Sequence, residues 1–539
     1  MTAPGPARSA LRTGAAILLT SLALLSPAPG QGVRRPGPAE RMYREGILPS
    51  GQPMRTQGPD GRPVQGTTFT CAGCHLRAGL GNADERPPVP PINGARLFSP
   101  SFRTFPFLTG AERAELPAAA RDPLRRPAYT RATLVVAIRD GVDPAGHTLD
   151  PVMPRYLLDD RDAELLAHYL EGLSATPAPG VTGTTLHFAT VVDTGAPAAD
   201  REAMLATMRQ QVALHNQVYA RSLVKANRIT AMKEMTLPLR RWELAVWELQ
   251  GPPSGWRAQL EAHERAGPVF ALVGGISDGD WQPVQAFCQD RGLPCILPLT
   301  DFPGLPGPDA CTLYLTGGYE QEGGTAGDRA ADLLQDGSPG PVIQVVPDTP
   351  AGRALARGFR EALARRGAPP AREVPAPPGA LPGAFLAHLL AGSAGKGILA
   401  LWGGPEACAA LAGADGPERP ALAFMSASLL GPAVWDLPQG ARDRTLLTWP
   451  YRLPPGGDAS RVRSRTRLLM QVVDEGVRRM ARDFYRDNFL DRIGLMDDRS
   501  DTDYPLLSFA PGRPWLASCR LVRVAPGPAR AFLDSQSSR

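Results

Sequence analysis

Three residues in the first part of the chain have the types and spacing of a site that holds a prosthetic group covalently. Cys71, Cys74 and His75 form the pattern C-x-x-C-H within the stretch FTCAGCHLRAG. Positions i, i+3 and i+4 share one face of a helical turn, so both thiols and the imidazole can address one planar macrocycle. In an exported chain this spacing is typical of c-type haem attachment, with two thioether bonds and the histidine as an axial iron ligand.

Two other chemistries use cysteines at this spacing. A zinc site requires a second pair of cysteines or histidines at similar spacing, and the sequence has none nearby. A thioredoxin-like redox pair requires a strand–helix–strand context, which the sequence around Cys71 does not suggest. We therefore predict one covalently bound haem c, with zinc binding and dithiol redox chemistry as the alternatives.

The first 30 residues have the features of a secretory signal. Arg8 and Arg12 precede the apolar run GAAILLTSLALL, and small residues follow at Ala28 and Gly30. The run is shorter than the roughly 20 residues that a membrane span needs. We predict cleavage after Gly30 and a periplasmic mature protein without a stable membrane span. The alternative is an uncleaved N-terminal anchor.

Composition indicates several folded units and narrows the choice of partners. A chain of 539 residues is long enough for three or four domains. The net charge of +5 is small for this length, so it gives no argument for a nucleic-acid partner. If haem takes two of the seven cysteines, an odd number remains, and export permits disulfides among them. The pairing stays open among Cys288, Cys295, Cys311, Cys408 and Cys519.

The region from residue 31 to 175 resembles a class I c-type cytochrome. Besides the attachment motif it has Met153 before a proline in a loop, followed by an amphipathic closing helix with the aromatic residue Tyr169. The resemblance implies an all-α fold with His75 as the proximal iron ligand and Met153 as the distal one. The alternatives are His147 as the distal ligand and a purely structural role for Met153.

The elements that would position the haem can also be predicted. AERMYREGI is expected to be the first helix, with Tyr43 and Gly46 packing on the closing helix near Tyr169. A proximal histidine usually donates its second N–H to a carbonyl, and the stretch PPVPPING offers Pro90 or Pro91. Ligation by histidine and methionine raises the reduction potential relative to two imidazoles. This favours an electron carrier that meets a redox partner protein.

A change of pattern after residue 175 marks a second unit. Residues 176–184 are small and rich in Pro and Gly, which predicts an interdomain linker. From 185 to 539, apolar runs such as LHFATVV and VIQVVP alternate with helical stretches. Such alternation predicts βαβ units and mostly parallel sheets whose strands are covered on both faces. The region is too long for one sheet, so we expect two lobes.

This second unit resembles the type I periplasmic ligand-binding proteins, the Leu/Ile/Val-binding branch of the ABC transporter substrate-binding proteins. The resemblance extends over nearly all of 185–530 and is carried by the order of elements. Matching stretches include VFALVGGISDGDWQPVQAFCQDRGLPCILPLTD and TLYLTGGYEQEGGTAGDRAADLL. It implies two lobes around a ligand cleft that closes by a hinge motion. In open α/β sheets, ligands bind outside the carboxyl ends of the strands.

Candidate ligand-binding residues lie in the loops that follow the predicted strands. Gly275 and Ser277 lead into a helix whose first N–H groups can bind an anion. The resemblance implies that Ser277 and Thr300 hold a ligand carboxylate, while Asp301, Tyr319 or Glu320 meets an amine or an aromatic group. The alternative for each is ordinary turn or capping chemistry. The loop DTGAPAADREAM differs from that of amino-acid binders, so an amino acid-like ligand and a small organic acid both stay open.

Three functions are compatible with these two units. The first is a periplasmic haem electron-transfer protein with a fused small-molecule-binding domain. The second is a ligand sensor or transport receptor with a redox-gating cytochrome module, and the third is the cytochrome subunit of a periplasmic quinoprotein-type dehydrogenase. The sequence contains no nucleophilic serine elbow, phosphate-binding loop or zinc-protease helix. We therefore expect electron transfer and ligand binding rather than catalysis by this chain.

Overall fold

The computed structural model describes Met1 and residues 36–534, apart from gaps at 58–61, 83–86, 103–123, 229–238, 305–309, 338–339, 380, 394, 415–418, 451–457, 502–503, 505, 510–514 and 526–531. Apart from Met1, the predicted secretory signal at 1–30 lies outside the described residues. Within the described part of the chain, no helix is long and apolar enough to cross a membrane.

The first unit combines short helices with short strands. Its described helices are α1 (Pro38–Glu45), α2 (Cys71–His75), α3 (Gly94–Leu97), α4 (Arg131–Asp140) and α5 (Asp160–Gly172). Its described strands are β1 (Arg55–Gln57), β2 (Pro63–Gln65), β3 (Ser101–Phe102), β4 (Leu124–Arg126) and β5 (Arg155–Tyr156). β1 pairs antiparallel with β2 and β5, and β3 pairs with β4. The prediction of an all-α unit is therefore wrong in this respect.

The strands arise because the segment between α1 and α2 cannot stay helical. Prolines such as Pro53 and Pro63 interrupt a helix, and an extended backbone must find partners for its N–H and C=O groups. β1 provides them, with Thr56 opposite Tyr156 of β5. This pairing fastens the loop that contains Met153 to the segment that precedes α2.

α1 and α5, the first and last helices of this unit, pack on each other as predicted. The rings of Tyr43 and Tyr169 lie 5.5 Å apart, and the Tyr43 hydroxyl donates to the carbonyl of Leu76 at 2.7 Å. Gly46 ends α1 with a φ of 69°, and a Cβ there would lie 2.3 Å from the carbonyl oxygen of Gly66. Only glycine fits this helix end.

The predicted linker lies against the second unit. The N–H of Ala178 donates to the carbonyl of Phe484 at 3.4 Å. A Cβ on Gly180 would lie 2.2 Å from the amide nitrogen of Phe270, so the backbone here is in close contact with the first lobe. The Pro/Gly-rich segment 176–184 is therefore a connection that packs against the second unit.

The first lobe of the second unit is a parallel sheet with the strand order β10-β9-β8-β6-β7. The strands are β6 (Thr185–Asp193), β7 (Arg241–Leu249), β8 (Ala271–Val273), β9 (Cys295–Ile296) and β10 (Thr312–Leu313). The helices α6 (Ala198–Arg228), α7 (Trp256–Ala266) and α8 (Gln282–Arg291) connect them. The chain runs from β6 to β7 on one side and returns to β8 on the other, so the switch point lies between β6 and β8.

The second lobe has the strand order β12-β11-β13-β14-β15-β16-β17. Its strands are β11 (Val342–Val346), β12 (Arg372–Pro375), β13 (Ile398–Leu401), β14 (Leu422–Ser426), β15 (Thr445–Trp449), β16 (Arg520–Val524) and β17 (Phe532–Asp534). Its helices are α9 (Gly318–Gln335), α10 (Pro350–Arg365), α11 (Gly383–Leu390), α12 (Glu406–Ala412), α13 (Ala427–Leu430) and α14 (Gln439–Arg442). The strands up to β15 are parallel, as predicted, whereas β16 and β17 are antiparallel. The switch point lies between β11 and β13.

The chain returns from the second lobe to the first before it ends. After β15, α15 (Asp458–Arg479) packs on α6 and β8, and α16 (Arg486–Gly494) packs on α15. The N–H groups of Leu516 and Ala517 then donate to the carbonyls of Tyr314 and Leu315, at 3.1 and 2.8 Å. This segment extends the first sheet just before the chain enters β16 of the second. The two lobes are thus joined by several connections.

Candidate functional site

The attachment motif forms a helical turn of its own. The Thr70 side chain caps α2 by accepting the N–H of Gly73 at 3.0 Å, so the helix starts at Cys71. Cys71 is buried, Cys74 is exposed, and His75 is only 5% exposed. The turn therefore brings the three predicted residues together on one short element.

The imidazole of His75 is oriented by a backbone carbonyl. Its Nδ1 lies 2.9 Å from the carbonyl oxygen of Pro90. A carbonyl can only accept, so Nδ1 carries the proton and Nε2 keeps its lone pair. Burial lowers the pKa of His75, which favours the neutral ring that a metal needs. Of the two carbonyl positions predicted, the structure selects Pro90.

The loop of Met153 is held beside α2. Met153 is half-buried against the hydrophobic core of the first unit, and the guanidinium of Arg155 donates to its carbonyl oxygen. Tyr156 follows and donates its hydroxyl to the carbonyl of Phe69 at 2.7 Å. His147, the alternative ligand, is exposed and lies 3.2 Å from a carboxylate oxygen of Asp143. The environment of Met153 is therefore more suitable for a buried ligand than that of His147.

The residues present fit a haem c. Two thiols and a buried, oriented imidazole share one turn, and large apolar side chains within two residues of Cys71, Met153 or Tyr156 are exposed, where a macrocycle would cover them. These side chains are Phe69, Val152 and Leu157. Among the described residues, no group of three or more His, Cys, Asp or Glu side chains is arranged to hold a metal ion directly.

A second polar site lies at the switch point of the first lobe. Asp193 ends β6, and Ser277 follows β8 after Gly275. The buried Ser277 hydroxyl donates to Oδ2 of Asp193 at 2.8 Å and accepts the N–H of Gly279 at 2.9 Å. Gly275 has a φ of 108°, so its role is to shape the turn.

The other predicted residues of this edge take part in turn and ion-pair contacts. The Thr300 hydroxyl accepts the N–H of Phe302 at 3.0 Å, and the Tyr319 ring lies 5.3 Å from that of Phe302. Asp301 lies 3.6 Å from a guanidinium nitrogen of Arg465 on α15. The carbonyl of Asp301 also accepts the N–H of Tyr319 at 3.2 Å. The start of α9 is thereby linked to the edge of the first lobe.

Several carboxylates lie close together at this edge. Burial raises the pKa of Asp278, and the neighbouring carboxylates of Asp301, Asp200 and Asp193 raise it further. Arg465 and Arg461 on α15 lie 3.6 and 3.9 Å from carboxylate oxygens of Asp301. The binding of a ligand carboxylate by Ser277 and Thr300 stays a prediction, which the carboxylates around Asp278 would oppose by charge repulsion.

The second lobe has a cavity that the sequence did not reveal. It has a volume of about 470 Å³ and lies at the carboxyl ends of β11, β12 and β13. Its lining residues are Val345, Pro347, Asp348, Thr349, Ala376, Pro377, Pro378, Gly379, Leu381, Leu401, Gly403 and Glu406. The cavity includes the switch point between β11 and β13. The sequence signal that could have indicated the cavity was the stretch PAPPG at the end of β12. β12 itself was not recognised as a strand, because it is too polar.

A buried carboxyl group was also missed. Glu322 on α9 is 1% exposed and accepts from the hydroxyls of Ser426 at 2.8 Å and Thr448 at 2.7 Å. Burial raises its pKa to about 7, against the opposing effect of its hydroxyl donors. Glu320, the nearby residue considered as a ligand contact, instead pairs with Arg357 at 3.1 Å.

Comparison with known proteins gives structural likeness only. No family model and no curated protein matches the sequence. A putative branched-chain amino acid ABC transporter protein from Rhodospirillum rubrum is 17% identical, covering 66% of this chain and 100% of its own, with a TM-score of 0.46. A fatty acid ABC transporter substrate-binding protein from Thermomonospora curvata is 13% identical, covering 67% and 93%, with a TM-score of 0.41. A type 1 periplasmic binding protein from Bordetella pertussis Tohama I is 13% identical, covering 65% and 100%, with a TM-score of 0.43.

Proposed function

We propose that this protein is an exported receptor for a small molecule and that its first unit carries a covalently attached haem c. The observation that carries the receptor role is the polar edge at the switch point of the first lobe. There the buried pair of Ser277 and Asp193 lies among further carboxylates, at the position where open α/β sheets bind ligands. The cavity at the corresponding point of the second lobe supports the same role.

The charge of the first-lobe edge indicates the class of ligand. Neighbouring carboxylates raise the pKa of Asp278, and a cation placed between such carboxylates stabilises their charged forms. We infer that the ligand carries an amine or another cationic group that meets Asp278 and Asp301.

Tryptophan emission tests the receptor role. The eight tryptophans all lie after residue 185, and Trp281 packs against Gly275 at the proposed site. We would titrate the purified protein with a panel of amines, amino acids, small organic acids and amides. A saturable change with the cationic compounds is expected, and no change across the whole panel would contradict the receptor role.

A matched pair of variants tests whether the ligand binds at the first-lobe edge. Asp278→Asn removes one carboxylate there and is expected to weaken binding of a cationic ligand about tenfold, as the loss of one charge-assisted contact would. Asp332→Asn removes the same charge from an exposed ion pair with Arg366 on the second lobe and is expected to leave binding unchanged. Equal effects of the two variants would place the ligand elsewhere.

Electron transfer is the second candidate function, and the bond between His75 and Pro90 favours it. When bound, the haem would supply reversible one-electron chemistry, with His75 and Met153 as the residues that hold the iron. Cys71 and Cys74 would fix the macrocycle, and a redox partner protein would exchange electrons with it. Haem staining of the denatured protein after gel electrophoresis tests for covalent attachment, and an unstained band would contradict it.

One measurement distinguishes two independent functions, ligand binding and electron transfer, from a sensor in which the two are coupled. If ligand binding and haem oxidation state influence each other, the ligand must shift the reduction potential by the same free energy by which oxidation shifts ligand affinity. A redox titration with and without a bound ligand measures this quantity. A shift supports a redox-gated receptor, whereas an unchanged potential supports two independent functions on one chain.

A further inference from the structure

Helix α16 lies between the two units and is anchored in the first lobe. Arg486 at its start donates to the carbonyls of Val269, Phe270 and Arg291, at 2.6, 3.1 and 3.2 Å. The ring of Phe489 lies 5.4 Å from that of Phe270 and is fully buried. α16 is therefore fixed to the first lobe by these contacts.

The same helix presents two carboxylates to the first unit, one helical turn apart. Asp491 is 9% exposed, and its two oxygens accept the backbone N–H groups of Arg77 at 3.2 Å and Ala78 at 3.0 Å. Asp487 lies 2.8 Å from a guanidinium nitrogen of Arg44 on α1. Of these two carboxylates, Asp491 is the one that contacts the segment directly following the attachment motif.

That segment is linked to the His75 ring by a short series of hydrogen bonds. The carbonyl of Gly79 accepts the N–H groups of Ile92 and Asn93, at 2.7 and 3.0 Å. These residues follow Pro90, whose carbonyl orients the imidazole. A shift of residues 77–79 would therefore move the acceptor of the His75 ring.

We propose that Asp491 is a positioning residue for the haem and lowers its reduction potential from a site on the ligand-binding unit. It fixes the proximal loop through two backbone contacts. Its charge lies next to Ala78, three residues after His75. A negative charge there favours ferric iron, which carries one more positive charge than ferrous iron. This role rests on the proposed haem attachment, and it makes the first lobe part of the haem environment.

Redox titration of the full-length holoprotein tests the role. Asp491→Asn keeps the shape of the side chain but removes the charge, and we expect a higher midpoint potential than in the unsubstituted protein. Asp487→Asn is the matched control, because it removes the same charge from the same helix without contact to the proximal loop. A shift that is clearly larger for Asp491→Asn supports the proposal, whereas an equal or smaller shift overturns it.

A second variant and a second measurement cover the case in which Asp491→Asn does not fold. Asp491→Glu keeps the charge but displaces the carboxylate from its two donors. Hydrogen exchange of peptides covering 76–82 is expected to become faster in this variant, and unchanged exchange would overturn the positioning role. Haem staining of the unsubstituted protein is done first, because absence of covalent haem would refute the cofactor itself and is thereby distinguished from a failure at Asp491.

Discussion

The Nδ1 atom of His75 lies 2.9 Å from the carbonyl oxygen of Pro90. This bond fixes the plane and the tautomer of the imidazole through the protein alone. The stretch PPVPPING holds the acceptor in place, because each proline restricts the backbone to a narrow range of φ. The His75 ring is therefore oriented, as an axial iron ligand must be, by residues that follow the attachment helix in sequence.

Substitution of Met153, the proposed distal ligand, should change the reduction potential without releasing the proposed haem. If Cys71 and Cys74 hold the haem as proposed, Met153→Ala leaves both attachments intact, so we expect covalent haem with a markedly lower reduction potential, since a thioether ligand raises it. His147→Ala is the control, because His147 is exposed and pairs with Asp143. An unchanged potential in Met153→Ala, or an equal fall in His147→Ala, would contradict the assignment.

Neighbouring glycines of α9 should respond in opposite directions to alanine. A Cβ at Gly323 would lie 2.0 Å from the carbonyl oxygen of Leu355 on α10, whereas at Gly324 the nearest atom, the carbonyl oxygen of Gly358, would be 3.8 Å away. Gly323→Ala should lower the free energy of unfolding by roughly 1–3 kcal/mol through overpacking. Gly324→Ala should raise it by up to about 1 kcal/mol, because alanine favours helix. Urea unfolding followed by tryptophan emission measures both, and effects of the same sign would refute this packing.

Glu322 should make the second lobe less stable at alkaline pH. Its pKa is raised from 4.5 to about 7 in the folded protein, so the folded state binds this proton more tightly than the unfolded chain. The resulting stabilisation is full below about pH 4.5 and is lost as the pH rises through about 7. Glu322→Gln cannot ionise and keeps a carbonyl oxygen for Thr448.

We therefore expect Glu322→Gln to be more stable than the unsubstituted protein at pH 8, by roughly 3 kcal/mol, with little gain at pH 5. Unfolding in urea at both values gives the comparison. Glu320→Gln is the control on the same helix, since Glu320 forms a surface pair with Arg357. A gain that is equal at the two pH values would show that Glu322 does not titrate in this range.

If the protein is exported as proposed, one disulfide is expected. Cys288 and Cys295 are both fully buried, and the side chain of Cys288 hydrogen-bonds to that of Cys295 while burial raises the pKa of Cys288. Both are thiols in this structure. A disulfide-exchange catalyst of the periplasm would accept the two hydrogens and leave a bond between the two sulfurs.

Peptide mapping under non-reducing conditions measures this pairing. A peptide pair joined through Cys288 and Cys295 is expected, with Cys408 and Cys519 alkylated after denaturation. Full alkylation of Cys288 and Cys295 in protein from the periplasm would contradict it. The N–H of Cys295 donates to the carbonyl of Cys311 at 2.9 Å, so a bond between these two would be the informative alternative.

Features with local causes could be predicted from the sequence. The spacing of Cys71 and His75 follows from the geometry of one helical turn, and the structure forms that turn. The alternation of apolar runs and helices likewise predicted the parallel sheets, because buried parallel strands must be apolar on both faces. The antiparallel strands of the first unit were missed, since residues 55–57 and 63–65 have no apolar pattern of their own.

What the sequence determined by itself was the identity and local spacing of the reactive groups. Only the tertiary structure decided their surroundings. Asp491 reaches Ala78 across more than four hundred residues, and Ser277 meets Asp193 because β6 and β8 are neighbours in the sheet. Such contacts depend on which elements pack together, and no periodicity within a short stretch of sequence encodes that choice. For the same physical reason, the negative charge of the first-lobe edge appears only when carboxylates from separate loops are brought to one side of the sheet.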